Sequence, residues 1–262
     1  MVDMNRGRYF IGILIVVLVV TASGDALQFD AGRSATLSLE ADNRVAEWCS
    51  VSGNAKLVPV QGTSNGWAHA VLKIGPDGKR SVDFGTVEPA SPLHVTNADF
   101  AACYAFVIVR CEEPSDLATL IDAPCSTRVA PALWHDSRWK LSPLQIEETA
   151  SYAVNGIETY AFTGAESFQL IEVFWDNPVL LSEMFIGGPP ASPEWKRTWP
   201  GRLGELILLE DIPDREERLA LYRYAALKWD IPLEAESPDA PFILRNLGVS
   251  SRNIFTSVII IR

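Results

Sequence analysis

Residues 201–229 read GRLGELILLEDIPDREERLALYRYAALKW, a stretch that predicts one buried strand, a short turn and a capped amphipathic helix. Leu206, Ile207, Leu208 and Leu209 form a continuous apolar run, as in a strand covered on both faces. Asp214 offers an N-cap oxygen, and Glu217 three residues on completes a capping-box pattern. Together with Glu216 these residues place negative charge at the helix N-terminus, where the macrodipole favours it. Leu219, Tyr222, Ala226 and Trp229 recur at three- and four-residue spacing, so one stripe of the helix faces inward.

Outward from this segment the chain is overwhelmingly β. Runs rich in Val, Ile, Phe and Tyr, bounded by Gly, Pro, Asn or Asp, predict strands at 44–50, 69–74, 80–84, 101–111, 117–122, 131–135, 150–154, 157–162, 168–175, 183–186 and 203–209. The clearest hairpin spans 151–162, where Asn155-Gly156 fits a type I′ turn. Residues 187–193 (GGPPASP) predict an irregular surface loop. Many short strands with evenly spaced turns favour two packed antiparallel sheets.

Several stretches resemble a known family in order along the chain. Gly201, Leu203, Gly204, Glu205, Leu206, Glu217, Arg218, Tyr224, Lys228 and Trp229 match the closing strand and helix of bacterial secreted LamG-like jelly-roll domains, of the concanavalin A-like lectin/glucanase superfamily. Leu209 stands where that pattern usually has tyrosine, and Pro213 where it has leucine. Residues 27–31 (LQFDA), 48–54 (WCSVSGN), 81–85 (SVDFG) and 154–156 (VNG) are similar to further family segments, with Ser50 where an aspartate is common. The resemblance covers residues 27–232. It implies an all-β fold, a two-sheet antiparallel β-sandwich (a concanavalin A-like jelly roll) with one C-terminal amphipathic helix. Beyond it, residues 233–262 divide into a Pro- and carboxylate-rich linker and a β-prone run at 254–261 (IFTSVIII) that is a candidate closing strand.

Residues 1–26 read as a signal peptide. Arg6 and Arg8 precede an apolar run at 10–20 broken only by Gly12, and Ala22, Ser23, Gly24 and Ala26 supply a small-residue cleavage zone. The run is short of the roughly 17 residues that a spanning helix needs. The expected location is therefore outside the cell or in its envelope, with an uncleaved, membrane-anchoring leader as the alternative. Removing this segment takes two basic and two acidic residues and leaves the formal charge at −11. A chain this acidic repels polyphosphate, which argues against nucleic acid as a partner.

The four cysteines, Cys49, Cys103, Cys111 and Cys125, predict disulfides if the chain is exported. Cys103 and Cys111 on one strand lie about 26 Å apart at roughly 3.3 Å per residue, against about 7 Å for bridged Cα atoms. A hairpin loop at 112–116 would set Cys103 opposite Cys125, so Cys103–Cys125 is favoured, with Cys49–Cys111 either bonded or left as thiols. Four inert small hydrophobes remain the alternative.

Three roles are open to such a fold. Glycoside hydrolysis needs two carboxylates about 5–5.5 Å apart for retention, but the i, i+2 pairs Glu40/Asp42, Asp214/Glu216 and Glu234/Glu236 fall in a loop, a helix start and a linker. Glu205, beside Gly204 on a packed strand, reads as a structural hydrogen-bond acceptor. His69, His94 and His135 lie outside any metalloprotease or serine-nucleophile motif. The expectation is a non-enzymatic module. Carbohydrate binding leads, protein adhesion or an envelope-structural role follows, and hydrolysis comes last. The partner is thus a glycan or an extracellular protein.

Trp48, Trp175 and Trp229 lie in strand or helix patterns and read as core. Trp67, Trp195 and Trp199 lie in loops, and Trp134 and Trp139 flank a hairpin tip at 135–138, so these five are the candidate sugar-stacking surfaces. No cofactor is expected. Calcium is the one candidate ion, with Asn97, Asp99, Asp176 and Asn177 as weak ligands that turn formation explains equally well.

Overall fold

The computed structural model describes residues 26–51, 54–60, 69–85, 92–99, 101–111, 118–122, 132–135, 139–142, 150–159, 162, 164–188 and 198–232. Residues 1–25, Trp67, Trp195, Cys125 and the tail from 233 lie outside the described residues. The first strands in chain order are β1 (Ala26–Asp30), β2 (Leu37–Leu39), β3 (Val45–Cys49), β4 (Lys56–Pro59), β5 (Val71–Ile74) and β6 (Arg80–Asp83). There follow β7 (Leu93–Thr96), β8 (Ala101–Cys111), β9 (Ile121–Asp122), β10 (Ala132–His135), β11 (Trp139–Ser142) and β12 (Ala150–Val154). Last come β13 (Ile157–Glu158), β14 (Ala165–Leu180), β15 (Phe185–Ile186), β16 (Arg202–Leu209) and the helix α1 (Arg215–Trp229).

Two antiparallel sheets face each other. The larger has eight strands in the order β13-β12-β14-β8-β16-β6-β5, with β1 pairing along β16. The smaller has six, in the order β2-β3-β4-β7-β15-β9. β10 and β11 form a separate hairpin. An all-β sandwich with one helix near the end of the described chain is what the strand pattern predicts.

The main core lies between the sheets. Trp48, Leu57, Val95 and Ile186 from the small sheet meet Phe29, Val107, Val173 and Leu206 from the large one. Along each strand the alternate residues point the other way, as the two-residue period of a strand requires. A second core covers the outer face of the large sheet. There Tyr104, Phe106, Ile108, Ile207 and Leu209 pack against Leu219, Leu221, Tyr222, Ala225 and Trp229 of α1. β8 and β16 are therefore buried on both faces, which is why both read as unbroken apolar runs. Ala226, expected in the inward stripe, is only half-buried, and Leu221 and Ala225 contribute instead.

The helix begins as its capping box predicts. The Asp214 carboxylate accepts from the Glu216 and Glu217 amides at 2.8 and 2.9 Å, and Glu217 accepts from the Asp214 amide at 2.9 Å. Gly204 lets the helix approach the sheet. A Cβ there would lie 2.5 Å from Trp229 Cη2. The Asn155-Gly156 turn has positive φ at both residues, 51° and 84°, and joins β12 to β13 through the Val154–Ile157 pair, as a type I′ hairpin requires.

The long strand β14 extends well beyond its predicted span. It carries a bulge in which residues 175–178 face the single residue Cys103 of β8. Pro178, which has no amide to give to a ladder, sits inside this bulge. The irregularity also breaks the alternation on β8, since Ala102 and Ala105 both face the intersheet core.

The favoured Cys103–Cys125 disulfide is not formed, and of the two outcomes left open for Cys49 and Cys111 the structure has the thiols. Cys49, Cys103 and Cys111 are not disulfide-bonded, and Cys125 lies outside the described residues. The Cys111 thiol is buried and donates to the Pro200 carbonyl at 3.4 Å. Its inward side chain is separated by the small sheet from Cys49, whose strand neighbour Trp48 takes the inward position. The hairpin expected to set Cys103 opposite Cys125 is not formed: β8 pairs with β14 and β16 in the large sheet, whereas β9 pairs with β15 in the small one.

Candidate functional site

The outer face of the small sheet has no helix over it among the described residues. Because Trp48, Leu57 and Val95 point inward and stand opposite one another, their neighbours Cys49, Lys56 and Thr96 form the next row on the outside. Glu47, two residues before Cys49, shares that face. The Glu47 carboxylate accepts from Lys56 Nζ at 2.9 Å and from the Cys49 thiol at 3.1 Å.

The Lys56 hydrogen bond, aided by that of Cys49, holds the Glu47 carboxyl below its usual range. The same contact raises the Lys56 ammonium. Burial, and then Glu47, push the Cys49 thiol up. Glu47 and Lys56 thus stay charged, while Cys49 stays a neutral S–H donor. With both side chains about a third exposed (32% and 37%), the pair orients groups more than it stabilises the fold.

Beside this row lies an open depression of about 920 Å³, lined by Cys49, Asn54, Ala55, Lys56, Asn97, Ala98 and Asp99. The β3–β4 connection supplies Asn54 and Ala55, and the chain leaving β7 supplies the residues from Asn97. Asn97 takes a left-handed conformation (φ 56°), which a short amide side chain tolerates, and this turn carries Asp99 to the rim. Asn97 and Asp99 are both exposed. Lysine and amide donors therefore stand beside carboxylate and amide acceptors in one concave surface. Such a set suits a ligand whose groups both donate and accept, as hydroxyls do.

The structure thus brings together two of the four residues singled out for calcium. The other two, Asp176 and Asn177, are exposed in the β14 bulge on the other sheet. Among the described residues, no group of three or more His, Cys, Asp or Glu is placed to hold a metal ion. The hairpin predicted to carry Trp134 and Trp139 is present, with Trp134 opposite Lys140 and His135 opposite Trp139. Trp199 departs from expectation. It is fully buried, with its ring 5.9 Å from Phe162 and its amide donating to the Gly187 carbonyl at 3.1 Å, so it presents no face to a ligand. Trp67 and Trp195 lie outside the described residues.

No family model matches the chain, and neither does any curated protein or solved structure. What the site can do must be argued from its own geometry.

The interior carboxylates sharpen that argument. Glu205, fully buried, accepts from Gln28 Nε2, from the Tyr224 hydroxyl at 2.8 Å, and from Lys228 Nζ and Trp229 Nε1, each at 2.9 Å. Glu172, also fully buried, accepts from the Tyr104 hydroxyl at 2.7 Å, from the Tyr222 hydroxyl, and from the Arg218 guanidinium at 3.1 and 3.3 Å. Burial and then the adjacent carboxylate raise the phenols of Tyr104, Tyr222 and Tyr224, which keeps all three as donors. Each carboxylate has its lone pairs occupied by groups that tie α1 to the large sheet. Neither has an oxygen left for a substrate proton.

His94, outside any catalytic motif, takes a packing role at the solvent edge. It stacks on Phe185 with centroids 4.5 Å apart and planes 14° from parallel, and its Nε2 donates to the Ser182 carbonyl at 2.8 Å. The pair joins β7 to β15 on the same outer face that carries Lys56 and Thr96. The depression itself could not be picked out in the sequence, because its walls come from segments some forty residues apart. Only the Asx pair at 97–99 signalled it.

Proposed function

We propose that this chain is a secreted, non-catalytic carbohydrate-binding module of the LamG-like, concanavalin A-like type, with its ligand held in the depression of the small sheet. The carrying observation is that depression, where Asn54, Lys56, Asn97 and Asp99 offer mixed donors and acceptors on an open concave surface. The engagement of Glu172 and Glu205 with α1 supports a binding rather than a hydrolytic role. Support for the family reading comes from β1, built from the LQFDA segment and paired along β16, and from the strand-to-helix unit that follows.

The test is a glycan-panel screen of the folded protein, run with calcium and again with chelator. The expected result is selective binding that Asn97→Ala and Lys56→Ala both weaken at least tenfold. Silence across a broad panel would overturn the proposal and favour protein adhesion or an envelope-structural role.

A further inference from the structure

Charge at the depression carries a statement about which saccharides it takes. Among the described residues, three charged side chains stand at or beside its wall. Lys56 and Glu47 neutralise each other through their 2.9 Å contact, and the shift of each toward its charged form keeps that neutralisation in place. Asp99 is the third. It lines the depression, is exposed, and among the described residues no cation forms an ion pair with it. Asn54 and Asn97 add donors without charge, while the Cys49 S–H is given to Glu47. The wall therefore carries one uncompensated negative charge, within a chain whose formal net charge is −11.

We infer that the depression selects uncharged saccharides over anionic ones, and that Asp99 is the residue that sets this selectivity. The inference rests on the carbohydrate reading and adds the ligand class to it. A carboxylate or sulfate on a sugar seated about 5 Å from Asp99 meets a Coulomb repulsion that, near a protein surface, is of order tenfold in affinity. The general field of the acidic chain acts in the same direction. Uncharged hydroxyls meet no such term, and they can both give to Asp99 and receive from Lys56 and the amides.

The experiment measures binding of neutral gluco-, galacto-, manno- and xylo-oligosaccharides of one to six units. Galacturonate oligomers of matched length form the anionic arm. Both arms are run at 0.15 M and 1 M salt on the wild-type protein and on Asp99→Asn and Asp99→Lys. Alkylation of Cys49 by iodoacetamide, with and without saturating neutral sugar, reports whether the depression is the place occupied, and Cys103 on the large sheet serves as the internal control. The wild type should prefer the neutral arm by about tenfold or more, and the preference should narrow at 1 M salt, where the screening length falls from about 8 Å to about 3 Å. Asp99→Asn should reduce the neutral-to-anionic ratio and Asp99→Lys should invert it, while bound neutral sugar slows alkylation of Cys49 alone.

A ratio unmoved by Asp99→Lys, or neutral binding that leaves Cys49 unprotected, overturns the inference and leaves carbohydrate binding standing. An absence of binding in both arms, from protein with an unchanged circular dichroism spectrum, brings down the carbohydrate reading itself.

Discussion

Glu205→Ala should be among the most damaging single substitutions in this protein, and its cost can be built up from the four donors that lose their acceptor. Trp229 Nε1 belongs to an indole only 3% exposed and has Glu205 as its acceptor; leaving such a donor unsatisfied costs about 1–3 kcal/mol. Gln28 and Tyr224 are half-buried, can turn partly toward water, and each lose about 1 kcal/mol. Lys228 differs, because its ammonium also contacts Asp30 at 2.7 Å and its side chain is 27% exposed. The loss of about 3–5 kcal/mol usual for a stranded buried charge therefore does not apply to it in full. The sum is about 3–5 kcal/mol. For a domain of this size that lowers the thermal midpoint by roughly 6–20 °C, at about 2–4 °C per kcal/mol. Glu205→Gln should cost less than half as much. Its amide oxygen can still serve Lys228 and Trp229, while its NH2 meets the Tyr224 hydroxyl, which can accept. Urea titrations followed by tryptophan fluorescence, with thermal scans alongside, measure both variants. A Glu205→Ala protein within about 1 kcal/mol of wild type, or a Gln variant as unstable as the Ala variant, would show that the strand–helix clamp does not work through these hydrogen bonds.

Two glycines separate crowding from backbone strain. Gly187→Ala places a Cβ 2.2 Å from Phe84 Cε1 at φ 84°, whereas Gly78→Ala, at φ 79°, meets nothing within 4 Å. The first should cost about 2–5 kcal/mol and the second only the left-handed penalty of about 1–2 kcal/mol, a difference that paired urea midpoints will reveal. Asp214→Ala removes both N-cap acceptances and should cost about 1 kcal/mol, read in the same titration together with a small loss of helical circular dichroism. The pH dependence of Cys49 alkylation follows from its burial and from Glu47. Because both favour the protonated thiol, the rate should inflect above the ordinary thiol value of about 8.5, and an inflection at or below that value in the Cys103→Ser background would contradict the environment described. Glu47→Gln should move the inflection back toward the ordinary value.

How much of this was legible in the sequence depended on how far apart the cooperating residues lie. The β16–α1 unit was legible because strand, cap and inward stripe are all local, and Glu205 could be assigned as a structural acceptor from its neighbour Gly204. Glu172 makes an equivalent clamp and passed unnoticed. Its donors Tyr104, Arg218 and Tyr222 stand 68, 46 and 50 residues away, and nothing local marks it. β4 and β7 were missed because KLVP and LHVT are short and mix polar with apolar residues, so no run stands out. The chain entering β4 and the chain leaving β7 supply most of the lining of the depression, which is why the fold was easier to read than the site. The cysteine pairing failed for a related reason. It assumed a hairpin from β8 into the strand at 117–122, but β8 pairs with β14 and β16 while β9 pairs with β15 in the other sheet, and nothing local in the sequence marks the change of sheet. Trp199 was misjudged because a setting of Pro and Gly indicates an irregular backbone and says nothing about which way the side chain turns.

The two outer faces of the sandwich explain where a ligand site can lie. On the large sheet, α1 covers Phe106, Ile108 and Ile207, and two buried carboxylates fix it there through donors from both sides. That face is closed, and opening it would strand the very donors whose loss is costed above for Glu205. On the small sheet the outward row Cys49, Lys56, Thr96, with Glu47 and His94 beside it, is polar and half-buried, so that face can meet water or a hydroxylated ligand without rearrangement. Substitutions at Asp99 should therefore change binding while leaving the unfolding free energy within about 0.5 kcal/mol of wild type, as exposed positions usually do. Substitutions at Glu172 or Glu205 should lower the midpoint while leaving the affinity of the folded fraction intact. A clamp substitution that weakened binding in fully folded protein would mean that α1 and the small sheet are coupled through the intersheet core, and the division of labour between the two faces would have to be abandoned.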